Sequence, residues 1–274
     1  MPLPPKTYKD INWATLRANA MARKGWRSKG PKEWDKKADS FSKRNKDSAY
    51  TSLFLSHLPL ESSLTVLDIG SGPGTLAIPI ATKVNSVTAI DFSRGMLNTL
   101  KTVAAEQQIN NIATIQCAWE DDWAAKEIKP HDIAIASRSM GVRDLGAALH
   151  KIDSYAEKYV FISDRIGDTP FEKSAFTTLG RSFEPGPDYI YTLNTLYTLG
   201  IHPNVTVLEL DNKTVYTSMA EAVDSYSWMF KAITPEETIL LEKYIGRRIV
   251  SSENGRIVVR RDNPPRWALI WWRK

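Results

Sequence analysis

Residues 63–81 read SLTVLDIGSGPGTLAIPIA: an apolar run from Leu64 meets an acid at Asp68, crosses Gly70, Gly72 and Gly74 on alternate positions, and turns apolar again. A short apolar run ending in a glycine-rich turn is the pattern of a buried strand delivering the chain into a loop. Glycine carries no Cβ, so such a loop lets a ligand approach the main chain, and the helical stretch after it, TLAIPIATKV, presents its N-terminus to the same ligand. Two phosphate loops are excluded. The dinucleotide fingerprint needs Gly or Ala three residues after its second glycine, where Thr75 stands, and the P-loop needs a Lys that never comes. Asp68 repels phosphate and attracts an ammonium group, so the loop suits a ligand with an amino-acid end.

Outward from this loop the texture persists. Strands are expected at 64–69, 86–91, 113–118, 132–137, 158–164 and 204–210, and a last one in RWALIWWRK at the C-terminus. SRGMLNTLKTVAAEQQ and LGAALHKIDSYAE read as helices between them. Apolar strands without clean alternation, joined by helices, indicate a parallel sheet covered on both faces. Asp91 ends the second strand, and a carboxylate about 20 residues past the glycines is where a nucleoside ribose is held. The fourth strand carries Ser137, Arg138, Ser139 and Met140 to its carboxyl end, where ligands of open parallel sheets bind.

Taken in order, LDIGSGPG, VTAIDFSRGML, QCAWEDDW and IAIASRSMG resemble the motifs of class I S-adenosylmethionine-dependent methyltransferases, over roughly residues 34–165. The resemblance implies an α/β, Rossmann-like sheet of about seven mostly parallel strands with helices on both faces, an N-terminal helical lid and helical insertions. It implies S-adenosylmethionine as cofactor, S-adenosylhomocysteine as product, and no metal. By the same resemblance the cofactor contacts are Asp68, Gly70, Ser71, Gly72 and Gly74 in the loop, Asp91 at the ribose, and Phe92 and Met96 beside the adenine. Ala118 and Trp119 offer backbone to the base, Glu120 or Asp121 accepts from its amine, and Ser137 completes the set. The family often has Asp where Ala118 stands. In relatives whose N-terminal segment looks like EWDKKADSFSKRNKDSAY, this helix folds over the cofactor, which makes Trp34, Phe41, Arg44 and Tyr50 candidates to close the site, Arg44 against the cofactor carboxylate.

The acceptor is less legible. Asp164 and Arg165 at the end of the fifth strand, with Tyr189, are the candidates for proton chemistry; the four histidines are scattered. Tyr50, Arg138, Met140, Tyr189 and Asn194 are candidates to line the acceptor pocket. The aromatic residues of the N-terminal helices, of 166–200 and of 212–262, among them Trp13, Trp26, Phe171, Phe176 and Tyr226, either line a pocket for a flat acceptor or form the core of a cap.

Of the net charge of +5, the first 50 residues hold 13 Lys and Arg against 5 Asp and Glu, whereas the remaining 224 hold 23 against 26. Such an arm either grips an anion or nucleic acid or forms a solvated helix face. An RNA methyltransferase is therefore an alternative to a small-molecule enzyme, although SRSM stands where amino-directed nucleic-acid enzymes have Asn-Pro-Pro-aromatic. A non-catalytic S-adenosylmethionine-binding protein is a third reading. A single cysteine, Cys117, excludes an intrachain disulfide, no 18-residue apolar run suggests a membrane span, and MPLPPKTYKD lacks a signal-peptide core, so a cytoplasmic protein is expected. The expected organisation is a basic helical lid (1–60), a cofactor-binding core (61–165) and a segment completing the sheet and the acceptor pocket (166–274), in one catalytic domain.

Overall fold

The computed structural model describes residues 7–25, 30–45, 48–230 and 232–274, with the backbone alone over 43–45. Strands β1 (Thr65–Ile69), β2 (Ser86–Asp91), β3 (Ile112–Gln116), β4 (His131–Ser137) and β5 (Ala156–Arg165) run parallel in the order β3-β2-β1-β4-β5. After β6 (Asn204–Glu209) the chain leaves to form a three-stranded antiparallel sheet from β7 (Lys213–Tyr216), β8 (Ile249–Glu253) and β9 (Arg256–Arg260). It returns as β10 (Arg266–Arg273), which inserts antiparallel between β5 and β6 and makes the main sheet seven-stranded.

The central strands are continuous apolar runs because both of their faces are covered. On one side Val66, Ile133, Ile135, Phe161 and Leu269 pack with helices α4 (Ala49–Leu55), α5 (Ala77–Ala81) and α6 (Arg94–Glu106). On the other, Leu67, Ile69, Ala134, Val160 and Ile270 pack with α7 (Leu145–Ser154) and α9 (Tyr189–Thr198). β6, at the edge, alternates instead, burying Leu208 while Val205 and Val207 stay exposed.

The N-terminal helical segment is broken inside both of the stretches, 8–29 and 32–57, that read as two helices. The first starts as a 3₁₀ turn at Tyr8–Asp10 and begins again at α1 (Trp13–Arg23), because the Asn12 side chain accepts from the Thr15 N–H and caps a new helix. The second divides into α2 (Pro31–Asp35), α3 (Ala38–Asn45) and α4. Trp26 lies outside the described residues. The insertions are not wholly helical: α8 (Lys173–Thr178), α10 (Met219–Ser227) and α11 (Pro235–Gly246) pack on the small sheet β7-β9-β8. Its strands are short and mostly solvent-facing, so they lack the apolar runs that mark the main sheet. Phe171, Phe176, Tyr216, Tyr226, Phe230 and Tyr244 form the core of this cap rather than a pocket lining. Among the described residues no helix is long and apolar enough to cross a membrane.

The segment before α8 is tied to the chain leaving β9 by Glu172, which is 3 % exposed and accepts from Arg261 Nε at 2.6 Å and the Asp262 N–H at 2.9 Å, while Arg261 Nη2 reaches the Pro170 carbonyl at 2.6 Å. Removing the carboxylate strands a largely buried guanidinium. Glu172→Ala is expected to lower the unfolding free energy in denaturant titrations by about 3 kcal/mol, and Glu172→Gln, which keeps an acceptor, by less.

Candidate active site

The loop after β1 uses its glycines for different ends. All three have left-handed backbone, with φ of 70° at Gly70, 56° at Gly72 and 87° at Gly74. A Cβ on Gly70 would lie 2.5 Å from Ser139 Cβ, and one on Gly74 2.9 Å from both Ile78 and Leu100, so these two are required by packing. A Cβ on Gly72 would meet nothing within 4 Å. Gly72 is therefore the position where bare main chain faces open space.

Two acids flank it. Asp91 accepts from the Gly72 N–H through Oδ2 at 2.9 Å and from the Ser93 N–H through Oδ1 at 2.8 Å. Burial raises its pKa, and these two N–H groups oppose the rise. Asp68 is 1 % exposed and its Oδ2 has no partner. Burial, then the charge of Asp91, push its pKa up to about 7 against the opposing Ala77 N–H. The Ser71 hydroxyl beside it is also buried without a partner. A buried acceptor left unmade is expensive, and two of them without a partner among the described residues, one at the end of β1 and one in the loop that follows, fit a polar group of a ligand.

The N-terminal segment crosses above the carboxyl ends of the strands. On one side Arg17, 6 % exposed on α1, donates to the carbonyls of Met140 and Arg143, both at 3.2 Å. On the other, Asp35 at the end of α2 accepts from Ser93 Oγ at 2.6 Å and the Gly95 N–H at 2.8 Å. Gly95 admits this contact, since a Cβ there would be 2.7 Å from Asp35 Cα. Ser93 also caps α6 by accepting from the Met96 N–H. Trp34 meets Phe41 edge to face, with centroids 5.8 Å apart. Arg44 is on α3, its side chain outside what is described.

Beside β2, Phe92 is half-buried and Met96 buried. The loop after β3 is shaped by Lys151, which donates to the carbonyls of Trp119 and Asp121, and by Trp119, whose indole N–H reaches the Ser139 carbonyl at 3.1 Å. Asp121 accepts from the Ala118 N–H at 3.0 Å and Glu120 is exposed.

At the ends of β4 and β5 the Tyr50 hydroxyl, completely buried, bonds the hydroxyls of Ser137 and Ser163. Arg138 has φ of 55°, its N–H directed to Ser163, and its guanidinium 4.2 Å from the Tyr50 ring centre. Asp164 accepts from Thr192 Oγ1 at 2.7 Å and the Arg165 N–H at 2.8 Å; burial raises its pKa despite both. Arg165 donates to the carbonyls of Pro185 and Pro187.

Three of the residues expected at the acceptor are engaged with the protein's own core and helices. Met140 is buried in the core against α7, Tyr189 packs beside the same core, and Asn194 donates to the Ile190 carbonyl of its own helix at 2.7 Å. Conversely Arg17, Asp35, Ser93, Lys151 and Ser163 build the site although spacing does not single them out. Only Ser93 carried a readable signal, as a capping residue between an acid and a helix.

Residues 60–179 match the family profile described as "Methyltransferase domain". An uncharacterized protein of Haemophilus influenzae is 30% identical over 272 residues, covering 97% of this chain and 98% of that one. Among solved structures, the YcgJ protein of Bacillus subtilis superposes with a TM-score of 0.55 at 15% identity, covering 82% of this chain and 97% of that one. A Bacillus halodurans protein provisionally described as a methyltransferase gives 0.56 at 13%, covering 83% and 99%. Both share the fold.

A carboxyl whose folded pKa is raised contributes stability below its unfolded pKa and loses it as pH rises through the folded value. For Asp68 that window runs from its ordinary 3.8 to about 7. Asp68→Asn removes the loss, so its stability, and with it its melting temperature, should climb relative to the parent across this window and level off above it, the stability gain being on the order of a few kcal/mol at most. Thermal melts of both proteins across a pH series check this; a difference independent of pH would contradict it.

Proposed function

The chain belongs to the class I S-adenosylmethionine-dependent methyltransferase family, and on that premise we propose that it transfers a methyl group from S-adenosylmethionine to a small-molecule acceptor. The observation that carries the cofactor reading is the buried Asp68 oxygen without a partner among the described residues, on the strand leading to a loop whose Gly72 has open space around it and donates to the Asp91 carboxylate. An amino-acid ammonium satisfies the first acid and a ribose the second. Neither a pyrophosphate nor an uncharged ligand does so.

In this reading Asp68, Ser71 and Gly72 hold the methionine end, Asp91 the ribose, and Phe92, Met96, Ala118 and Trp119 the adenine. Asp35, by fastening α2 to the start of α6, keeps Trp34 over the site and excludes water. When bound, S-adenosylmethionine supplies a methyl carbon activated by its sulfonium. The residues of the chain then have to orient the acceptor at the ends of β4 and β5 and receive its proton where it has one. Asp164 suits the second task, because a carboxyl with a raised pKa is a better proton acceptor than an ordinary one. Tyr50, with its hydroxyl between two serines, positions β4 against β5. The inward-turned Arg17 favours a small acceptor over RNA, since part of the basic arm is committed to the protein's own carbonyls.

Calorimetry with S-adenosylmethionine and S-adenosylhomocysteine tests the cofactor reading. Both should bind the parent. Gly72→Ala should fold, its left-handed backbone costing about 1–2 kcal/mol, yet lose affinity because the new methyl group occupies the ligand side. Asp91→Ala should bind at least about tenfold more weakly, one lost charge-assisted hydrogen bond being worth that much. Parental affinity in both variants would overturn the reading.

A further inference from the structure

A cavity of about 720 Å³ lies between α1, the loop from β4 to α7, and α9, and none of the residues assigned to the cofactor lines it. Its size is that of a small-molecule site. It adjoins the acid at the end of β5. Thr195 in its wall is one turn along α9 from Thr192, whose hydroxyl donates to Asp164 at 2.7 Å. Arg17, also in the wall, is close enough to Asp164 and Asp144 to feel the charge of both. The bonds from Arg17 to the carbonyls of Met140 and Arg143 fasten the same wall to the chain leaving β4.

The lining carries three cations, Lys9, Arg17 and Arg143, against two acids, Asp10 and Asp144. Both acids are engaged by donors of the chain itself. Asp10 accepts from the Thr7 N–H at 2.9 Å and the Thr7 hydroxyl at 3.2 Å, and Asp144 caps α7 by accepting from the Ala147 N–H at 2.9 Å. The cations are not engaged in the same way. Carbonyls orient Arg17 without cancelling its charge, and the side chains of Lys9 and Arg143 make no hydrogen bond or ion pair among the described residues. A ligand anion therefore finds donors with no other partner, whereas a ligand cation has to compete for acids already in use. The wall also has an apolar part: half-buried Trp13, set edge to face on Tyr191 at 6.4 Å, and buried Leu145.

We infer that this cavity holds the methyl acceptor and that the acceptor is a small organic anion, its carboxylate or phosphate met by Lys9 and Arg143 and its apolar body lying against Trp13, an inference that rests on the proposed methyl transfer. Anchored by its charge at the α1 side, the acceptor extends past Thr195 toward Asp164. Lys9 and Arg143 are thus specificity residues, which choose an anion over a neutral molecule of the same shape and leave cofactor binding untouched.

Three probes test this: benzoate, phenyl phosphate and their neutral counterpart benzamide, each titrated into the full chain in the presence of S-adenosylhomocysteine. The indole N–H signal of Trp13 in nitrogen-15 NMR spectra, identified by its loss in Trp13→Phe, reports on the cavity. At least one of the two anions should shift it, the tighter one telling carboxylate from phosphate, and benzamide should bind at least about fivefold more weakly. A variant carrying both Lys9→Gln and Arg143→Gln should lose about tenfold in affinity for that anion. It should bind benzamide, and S-adenosylhomocysteine by calorimetry, within about twofold of the parent, which also shows that it is folded. Benzamide binding as well as the anions, or equal weakening of all probes in the variant, would overturn the inference. A Trp13 signal that no probe moves, in a protein that binds S-adenosylhomocysteine, would overturn it and leave the cofactor reading standing. Anion binding by a parent that does not bind S-adenosylhomocysteine would overturn the cofactor reading and, with it, the acceptor role of the cavity.

Discussion

The Asp91 carboxylate bonds two pieces of chain at once. One oxygen accepts from the loop after β1, at Gly72, and the other from the start of α6, at Ser93. Because Ser93 in turn donates to Asp35, the position of the N-terminal segment is set through the same carboxylate. Three acids, Asp35, Asp68 and Asp91, accordingly stand along one end of the sheet. Burial and mutual repulsion raise the pKa of the inner two, whereas hydrogen bonds from Ser93 and Gly95 lower that of Asp35. The arrangement is unfavourable to the protein alone and is the kind of local cost that persists where a ligand relieves it.

Much of this was legible because it rests on backbone rules. All seven main-sheet strands are where the sequence reading puts them, and the inner ones are apolar runs because both of their faces are buried. Asp68 and Asp91 stand out because an acid at the end of such a run has no role in packing. The site's other half is made of side chains meeting across long sequence separations: Asp35 with Ser93, Arg17 with the carbonyl of Met140, Tyr50 with Ser163. Ser, Tyr and Arg are common in ordinary surfaces and helices, and no spacing rule links residues brought together by topology. The helix breaks at Asn12 and Ser48 fail for a related reason. Periodicity carries on across a capping residue; at Asn12 the side-chain bond to the Thr15 N–H marks the new start, whereas Ser48 makes no such bond and only its extended backbone does.

The second sheet shows where patterning stops informing. β7, β8 and β9 cover one face only, against the aromatic core of the cap, so their strands read as polar segments with a few valines. The aromatic residues there pack on each other, Phe176 on Phe183 and Phe230 at 4.6 Å, and are needed to give an insertion of this size a core of its own.

The basic N-terminal segment is where composition and structure differ most in meaning. A charge surplus within 50 residues suggests a face turned to solvent or to a polyanion, yet Arg17 is buried and Lys24 half-buried. Burial lowers the pKa of Lys24, and the charges of Arg165 and Arg17 lower it further. The three cations thus lie close enough to repel one another at the end of β5, where the half-buried Asp164 favours the charged forms of Arg17 and Arg165. Repulsion of this sort inside a protein is unfavourable unless geometry demands it, and here the carbonyls of Met140, Arg143, Pro185 and Pro187 hold two of the guanidinium groups in place. Carbonyls orient a cation without cancelling its charge. The part of the surplus that Arg17 and Lys24 carry is therefore turned inward, although the amino-acid sequence, read as a count of charges, assigns it to the outside.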